Sequence, residues 1–327
     1  MTMSAFDATA TSEQIIGAFA PQVRDRTFVV VGAGQPSIGS SIATTLAQVS
    51  PKHIVIASRT SSKADPVLSA IRETGTKASF VQLDLSDHDS VRRAAQEVLT
   101  VTESKIDVLI NCAGNMGIKE YTVDKQGIEM QLSGNHVGSF LLTNLFAPAL
   151  LAAANADERS VRVVNLSSHG YHISPFRFDD YNFSDGKSYD MWTAYGQAKT
   201  ANILFTIALT KRLRAHGVVS FAVHPGSNFD TKLGSHLVMD DYNDIFETAK
   251  RNTGCDFAFD EPRFKTYEQI GATPLTAALD PAITAQAPGY LMNNHIAEPA
   301  DHAKDPVLAE KLWELSEKLV GQRFTYD

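Results

Sequence analysis

The chain has 327 residues, with 29 basic and 37 acidic side chains and a formal net charge of −8. Hydrophobic residues make up 43% of it and charged residues 20%, a balance typical of globular proteins that argues against a disordered, fibrous or membrane-embedded chain. No block of lysine and arginine offers a surface for phosphates, so the sequence argues against a nucleic-acid partner.

The number of cysteines and the first residues of the chain indicate in which cellular compartment the protein is expected. Two cysteines, Cys112 and Cys255, are too few for a disulfide framework and lack the spacing of zinc ligands. The first basic residue is Arg24, and no basic start precedes an apolar run, so we expect no signal peptide. No segment reaches the roughly 18 apolar residues of a membrane-spanning helix. We therefore expect a cytoplasmic protein without a membrane anchor.

Short β-branched runs alternate with longer helical patterns through most of the chain, which predicts right-handed βαβ units on a parallel sheet. The predicted strands are Thr27–Val31, His53–Ala57, Ser79–Leu83, Val108–Asn111, Val161–Leu166, Val218–Val223 and Gly289–Met292. The predicted helices are Ile38–Gln48, Pro66–Thr74, Ser90–Val101, Gly127–Leu151, Trp192–Ala215, Tyr267–Leu279 and Pro306–Val320. We expect a doubly wound α/β fold with a mostly parallel sheet of about seven strands flanked by helices.

Three segments, 1–26, 169–191 and 227–265, interrupt this alternation. We predict an N-terminal extension over 1–26 and one domain over 27–327, because no repeat or low-complexity linker divides the chain. The later two segments are rich in aromatic residues and follow strand ends, where open α/β sheets bind ligands. The segment 227–265 is long enough to predict a mobile lid over a substrate. A rigidly packed helical insertion is the alternative.

The first predicted strand leads into the turn Gly32-Ala33-Gly34-Gln35-Pro36-Ser37-Ile38-Gly39, which precedes a helix. Backbone amides and the helix dipole at such a turn can hold a pyrophosphate. A tight turn that binds nothing is the alternative for this motif alone.

The second predicted strand favours a dinucleotide at this turn. Arg59 stands about 20 residues after the last glycine, where an acid would bind the ribose 2′-hydroxyl of NAD and arginine suits the 2′-phosphate of NADP. A solvated arginine at a strand end is the alternative. We predict NADP(H) as the cofactor.

Tyr195 and Lys199 are four residues apart in a helical pattern, so their side chains project from one face. A nearby ammonium favours the phenolate and lowers the tyrosine pKa from about 10, which would make Tyr195 a usable acid or base. Alone, this spacing is common on helix surfaces. Its significance comes from the motifs around it.

Further short motifs follow one another along the chain. They are Asp84-Leu85, Asn111-Cys112-Ala113-Gly114, Asn135-His136-Val137-Gly138, Val164-Asn165-Leu166-Ser167-Ser168, Phe178-Asp179-Asp180, Ala194-Tyr195-Gly196-Gln197-Ala198-Lys199, His224-Pro225-Gly226, Ala278-Leu279-Asp280-Pro281 and Leu312-Trp313-Glu314-Leu315-Ser316. In these motifs the chain resembles the short-chain dehydrogenase/reductase family, and more closely its retinol-dehydrogenase-like branch, from about Thr27 to Val320. The resemblance implies a Rossmann fold.

The resemblance also implies a catalytic tetrad of Asn135, Ser168, Tyr195 and Lys199. In these roles Tyr195 donates a proton, and Lys199 lowers its pKa and bonds the nicotinamide ribose. Ser168 holds the substrate oxygen, and Asn135 positions a proton-relay water. Carbonyl reduction develops negative charge on that oxygen as hydride arrives from the cofactor, so a phenol and a hydroxyl directed at it would stabilise the transition state.

The cofactor site implied by the resemblance departs from the family's first motif, Thr-Gly-x-x-x-Gly-x-Gly. Val31 replaces the threonine, Ser37 stands in place of the second glycine, and the span from Gly32 to Gly39 is one residue longer. The predicted cofactor-binding residues are Gly32, Gly34, Ser37, Ile38, Gly39, Ser58, Arg59, Asp84, Leu85, Asn111, Ala113, Gly114, Tyr195, Lys199, Pro225 and Gly226. No metal site is expected, because His169 and His172 lack a supporting carboxylate and cysteine cluster.

The sequence therefore predicts an NADP(H)-dependent oxidoreductase that transfers hydride between nicotinamide and the carbonyl or alcohol carbon of an apolar or aromatic substrate. We expect a ketone or aldehyde reductase with a small-molecule substrate as its partner, and the sequence leaves a homo-oligomer open. The alternative is a non-catalytic NADP(H)-binding regulatory protein of the same fold.

Overall fold

A computed structural model describes residues 6–326 of the chain. This part contains an eight-stranded sheet in the order β3-β2-β1-β4-β5-β6-β7-β8. Neighbouring strands are parallel except β7 and β8, which pair antiparallel. The strands are β1 (Thr27–Val31), β2 (His53–Ser58), β3 (Lys77–Gln82), β4 (Val108–Asn111), β5 (Val161–Leu166), β6 (Val218–His224), β7 (Gly289–Met292) and β8 (His295–Ala297).

Helices cover both faces of the sheet. They are α1 (Ser12–Phe19), α2 (Ile38–Leu46), α3 (Ser61–Glu73), α4 (His88–Val101), α5 (Met130–Leu132), α6 (Gly138–Leu145), α7 (Ala147–Ala154), α8 (Met191–Leu213), α9 (Asp244–Thr253), α10 (Ala272–Leu279), α11 (Asp301–Lys304) and α12 (Pro306–Val320). A π-helical turn, Ser133–Val137, joins α5 to α6.

Side chains of each central strand alternate between two cores, as the two-residue period of a strand requires. Val29 and Val31 of β1 pack in the core that includes α4, α6, α8 and α12. Phe28 and Val30 pack on the other face with α1, α2, α3 and α10. Because both faces are covered, the strands read as continuous apolar runs, which is why the pattern predicted them. The expected doubly wound fold is confirmed.

The eighth strand was not predicted. Residues of β8 are half-buried and pair only with β7, so they carry no continuous apolar run. The predicted helix Gly127–Leu151 is also wrong in detail, because the π turn interrupts it and a separate helix, α7, begins at Ala147 with Pro148 in its first turn. The helix predicted from Tyr267 begins only at Ala272.

Two of the interrupting segments contain helices. In the predicted N-terminal extension, whose first five residues lie outside the described part, α1 packs against α10 and buries Ile15 and Ile16. In the segment 227–265, α9 buries Ile245 and Ala249.

Within residues 6–326, no single helix has the length and apolar character needed to cross a membrane. The helical stretches Met130–Leu145 and Ala147–Ala154 reach the requirement only as a pair, and they are bent by 53° where they meet.

The order of the strands reverses between β1 and β4, because the chain builds outward from β1 to β3 and then returns to the other side of β1. A crevice opens at such a reversal beyond the carboxyl ends of the strands. Gly32 directly follows β1, and Cys112 directly follows β4. The glycine turn and the Asn111-Cys112-Ala113-Gly114 motif therefore meet at the crevice.

Candidate active site

A cleft of about 920 Å³ lies beyond the carboxyl ends of the strands. Most of the predicted site residues line it. These are Gly32, Gly34, Ser37, Ile38, Ser58, Arg59, Asp84, Leu85, Ala113, Gly114, Ser168, Tyr195, Lys199, Pro225 and Gly226. Gly39, Asn111 and Asn135 are buried outside this lining. One cleft thus brings together residues from six strand ends and the helices that follow them.

The glycines at the two ends of the first turn are required by close backbone approaches. Gly32 has φ +87°, and a Cβ there would lie 2.6 Å from the Cα of Ala113. A Cβ on Gly39 would lie 2.7 Å from the carbonyl oxygen of Gly32. The turn therefore folds back tightly against the start of α2.

Ser37 rebuilds the altered part of this turn. Its hydroxyl accepts a hydrogen bond from the Ser40 amide (3.0 Å) and donates to the Gly32 carbonyl (3.1 Å). The Ser40 hydroxyl in turn accepts from the Ser37 amide at 2.9 Å, which completes a capping box. The amides of Ile38 and Gly39, the first two of α2, precede the intrahelical hydrogen-bond ladder and can bind a pyrophosphate. The Ser37 side chain itself is engaged in the turn.

Tyr267, which no sequence motif indicated, supports the same turn. The Tyr267 hydroxyl lies 2.6 Å from the Ser40 Oγ and donates to the Ser37 carbonyl at 3.2 Å. Tyr267 lies more than 200 residues away along the chain, so only the tertiary fold reveals this contact.

Cations gather at the end of the cleft beyond β2. Arg59 and Lys63 both line it and are exposed. Between them and the glycine turn, the Ser58 hydroxyl is buried without a hydrogen-bond partner in residues 6–326. The nearby Asp84 carboxylate accepts hydrogen bonds from the amide (3.0 Å) and hydroxyl (2.7 Å) of Ser86. Free helix amides, an unpartnered hydroxyl and two cations fit a phosphate-bearing dinucleotide.

Asn135 lies in the π turn, where the Gly138 amide donates to the Ser133 carbonyl five residues earlier. The Asn135 side-chain amide donates to the Gln131 carbonyl at 2.7 Å and to the Asn115 Oδ1 at 2.8 Å. Its Oδ1 accepts from the Asn115 amide at 3.2 Å. This turn holds the Gly114-Asn115 wall of the cleft, and π turns of this kind are frequent at functional sites.

The side chain of Asn111, a predicted cofactor-binding residue, forms hydrogen bonds inside the protein. Its side-chain amide donates to the Asn165 Oδ1 at 2.9 Å and to the Thr143 hydroxyl at 3.1 Å, below the floor of the cleft. It links β4 to β5 rather than reaching the cleft. The Asn111 side chain thus satisfies its hydrogen bonds within the protein, as buried amides do, and the role of Asn111 in cofactor binding stays a prediction.

Ser168, Tyr195 and Lys199 converge near the middle of the cleft. Ser168 follows β5, and its hydroxyl accepts from the Gly170 amide at 3.0 Å. A Cβ on Gly170 would lie 2.7 Å from the Tyr195 ring, so this glycine lets the serine loop approach the tyrosine. The Lys199 ammonium donates to the Leu166 carbonyl at 3.3 Å and lies over the Tyr195 ring, 5.6 Å from its centre.

Burial controls the charges of this group. It raises the pKa of Tyr195 to about 12, although the neighbouring Ser168 hydroxyl opposes the shift. It lowers the pKa of Lys199 to about 8. The sequence-based expectation was a tyrosine pKa below its ordinary value, but burial is the largest influence on Tyr195 and places its pKa above that value. Tyr195 remains a protonated phenol, as a proton donor must.

Part of the remaining wall of the cleft is apolar. Near Tyr195 it is formed by Met116, Ile173, Trp192, Leu237, Tyr242, Ile245, Phe257 and Phe259. Most of these come from the segment 227–265 or from α8. By contrast, Tyr171, Phe176 and Phe183 of the segment 169–191 are buried in the protein core. Trp192, which directly follows this segment, does line the cleft.

The segment 227–265 contains an anchored part and an exposed part. Helix α9 is held by the Asn252 side chain, which donates to the Thr193 hydroxyl at 2.8 Å. Preceding residues are exposed, with Phe229 at 68% and Met239 at 63%. The residues before α9 also contact the body of the protein, because the Trp192 Nε1 donates to the Asp241 carbonyl at 2.7 Å. The lid stays a prediction.

Comparison with known proteins agrees with this geometry. The family model described as short chain dehydrogenase matches residues 26–240. Retinol dehydrogenase 11 from Homo sapiens is 33% identical over 295 residues, covering 90% of this chain and 85% of that protein. Oxidoreductase fscI from Fusarium equiseti is 32% identical over 249 residues, covering 69% of this chain and 96% of its own.

Solved structures share the fold. An uncharacterised protein from Mycobacterium paratuberculosis superimposes with a TM-score of 0.65 at 28% identity, covering 94% of this chain and 98% of that one. Sequence motifs, sheet topology and the lining of the cleft agree on one family, whose fold implies a nicotinamide cofactor. The chain belongs to the short-chain dehydrogenase family of oxidoreductases, in its retinol-dehydrogenase-like branch.

Proposed function

We propose that this chain is an NADP(H)-dependent oxidoreductase that interconverts an apolar or aromatic ketone or aldehyde with its alcohol. The observation that carries the proposal is the convergence of Ser168, Tyr195 and Lys199 beside an apolar wall in one cleft. The cofactor supplies the hydride when bound. Side chains of the protein bind the substrate and donate the proton.

The choice of NADP(H) rests on the end of the cleft beyond β2. Arg59 and Lys63 line this end, and Arg59 occupies the position where an acid would bind an unphosphorylated ribose. The guanidinium can bind a phosphate through two hydrogen bonds and can stack on adenine. The 2′-phosphate of NADP(H) would lie against both of these cations. The chain as a whole has a net charge of −8, so a pair of cations here is a local feature of the cleft.

The proton would come from Tyr195. A substrate oxygen that gains negative charge needs donors directed at it, and the phenol and the Ser168 hydroxyl are the two neutral donors that meet at this point of the cleft. After Tyr195 releases its proton, the adjacent Lys199 ammonium stabilises the phenolate. Asn135 would act through the π turn that shapes the wall beside Gly114.

The substrate class follows from the wall around these groups. Trp192, Tyr242 and Phe257 present aromatic surface next to Tyr195, and Met116 and Leu237 extend it. Burying apolar surface contributes about 25 cal/mol per Å², so an apolar or aromatic body gains more here than a sugar. The carbonyl carbon of such a substrate would face the hydride donor beside Tyr195.

A turnover assay separates this function from a cofactor-binding regulatory protein. NADPH and NADH are first titrated against the protein, and a panel of aliphatic, aromatic and polycyclic ketones and aldehydes is then assayed by loss of NADPH absorbance. We expect tighter binding of NADPH than of NADH, and turnover of at least one apolar member that Tyr195→Phe lowers by about 10² to 10⁴. Tight NADPH binding without turnover across the panel would favour the regulatory protein.

A further inference from the structure

A buried histidine and a buried carboxylate lie beside the serine loop in the wall of the same cleft, without a role in the proposed chemistry. His224 ends β6 directly before Pro225-Gly226 and is 3% exposed. Its Nε2 lies 2.9 Å from the Asp260 Oδ2, and Asp260 belongs to the segment 227–265. Its Nδ1 accepts a hydrogen bond from the backbone amide of His169 at 3.0 Å. One imidazole therefore joins three separate parts of the chain.

These contacts fix the tautomer of His224. Because Nδ1 accepts from an amide, the ring proton must lie on Nε2, where it is donated to Asp260. Without the carboxylate the proton could move to Nδ1 and would then face the His169 N–H. Asp260 thus preserves the acceptor that the His169 amide requires.

The His169 amide is the group next to the proposed substrate-binding hydroxyl. Ser168 precedes it directly, and the following Gly170 amide donates to the Ser168 Oγ. The loop is thereby held on two sides, by His224 at residue 169 and by the serine's own hydroxyl at residue 170. Loss of the first contact frees the backbone that orients Ser168 toward Tyr195.

We infer that Asp260 and His224 are positioning residues that hold the Ser168 loop in its reactive geometry. The inference rests on the proposed function for the role of Ser168. It also means that the segment lining the substrate cleft must be seated for the serine to be aligned, because Asp260 is part of that segment. The pair does not act as a base for Ser168, since the nitrogen that would take a proton already binds the His169 amide.

Two other features of the surroundings agree with this role. The Lys265 ammonium is buried near Asp260 and has no hydrogen-bond partner in the described part of the chain, so it favours the ionised carboxylate. The His169 Nε2 lies 2.9 Å from the Ala258 carbonyl, and the His169 ring lies 5.9 Å from the His224 ring, centre to centre. The hydrogen bond that His224 accepts comes from the backbone of residue 169.

The test combines three variants with a control from the same segment. Asp260→Ala removes the acceptor, whereas Asp260→Asn keeps an oxygen that can accept from His224 Nε2. Ser168→Ala removes the hydroxyl that the pair is inferred to position. Asp256→Ala is the control, because its carboxylate is 90% exposed and forms a surface ion pair with Lys250.

The first measurement is kinetic and uses the substrate found in the turnover panel. We expect Asp260→Ala to lower kcat about 10- to 100-fold while NADPH affinity stays near that of the unaltered protein. Asp260→Asn should restore most of the loss, and Asp256→Ala should have no effect. In the Ser168→Ala background, Asp260→Ala should lower kcat no further. An equal loss in both backgrounds would overturn the inference.

The second measurement does not depend on turnover. Protein labelled with ¹⁵N-histidine reports both the His169 amide and the ring nitrogens of His224 by NMR. We expect a protonated Nε2 on His224, with a shift of the His169 amide signal in Asp260→Ala and none in Asp256→Ala. An unmoved His169 amide would overturn the inference. Absence of turnover with the expected NMR result would instead reject the proposed function alone.

Discussion

The Lys199 ammonium lies over the Tyr195 ring, 5.6 Å from its centre, and both side chains are buried. Burial opposes charge on either group, so the pKa of the phenol is raised to about 12 and that of the ammonium is lowered to about 8. Tyr195 therefore stays protonated until a substrate oxygen takes its proton, and the stabilising charge of Lys199 is sensitive to pH in the mildly alkaline range.

The first prediction concerns that pH dependence. We expect kcat for carbonyl reduction to fall as pH rises through about 8, because Lys199 loses the charge that stabilises the phenolate formed when Tyr195 donates its proton. Lys199→Arg, which stays charged, should move the fall to higher pH. A kcat that is constant or rising through this range in the unaltered protein would contradict the assignment.

The second prediction concerns Tyr195 itself. Tyr195→Phe should lower kcat by about 10² to 10⁴, the usual contribution of positioned acid catalysis, while NADPH binding and thermal stability change little. Tyr181→Phe is the matched control, because Tyr181 packs beside the core and does not line the cleft. Ordinary turnover in Tyr195→Phe would show that the proton has another source.

The third prediction concerns cofactor choice. Arg59→Asp should weaken NADPH binding by removing the phosphate-binding cation and placing a carboxylate where the 2′-phosphate would lie. The affinity of Arg59→Asp for NADH should equal or exceed that of the unaltered protein. Fluorescence titration of both cofactors measures the ratio, and Arg93→Asp on the exposed surface of α4 makes the same charge change away from the cleft. A preference of the unaltered protein for NADH would refute this role of Arg59.

The fourth prediction concerns the segment 227–265. We expect residues 228–242 to exchange their amide hydrogens quickly in the free protein and to gain protection with NADPH and substrate, because their apolar side chains are exposed. Residues of α9 should be protected in both states, since α9 is anchored to α8. Strong protection of residues 228–242 before any ligand is added would rule out a lid and favour a rigid insertion.

The fifth prediction concerns stability in acid. Burial lowers the pKa of His136 to about 3, whereas an unfolded histidine titrates near 6.5. The unfolded chain binds the extra proton between these values, so the contribution of His136 is complete above about pH 6.5 and is lost as pH falls. At about pH 5 the loss is about 2 kcal/mol.

Urea unfolding at about pH 7 and about pH 5 measures this contribution. His136→Gln should show a smaller decrease between the two than the unaltered protein, whereas His216→Gln, at an exposed site, should show the same decrease. Equal decreases for all three proteins would mean that other groups set the acid sensitivity.

The central strands and the spacing of Tyr195 and Lys199 could be predicted because each depends on a local period. Strands buried on both faces are apolar throughout, as in β1 and β5, and residues four apart share a helix face. The half-buried β8 has no such period. The predicted helix boundaries were wrong where Pro148 and the π turn interrupt a continuous apolar pattern.

Contacts between distant residues could not be predicted in the same way. The Asp260–His224 hydrogen bond joins residues 36 positions apart, and one of them lies in an irregular segment. The support that Tyr267 gives to Ser37 spans 230 positions. The pKa of Tyr195 could not be read from its spacing to Lys199 either, because burial, which the spacing does not reveal, is the larger influence.

The most direct test of the proposed chemistry is the fate of the hydride. NADPH deuterated at the transferable position of nicotinamide is incubated with the protein and an apolar ketone from the panel, and the alcohol is analysed by mass spectrometry. The account predicts one deuterium on the carbinol carbon per NADPH consumed, and Tyr195→Phe should form the labelled alcohol more slowly by about 10² to 10⁴. NADPH that binds tightly yet transfers no deuterium to any member of the panel would contradict it.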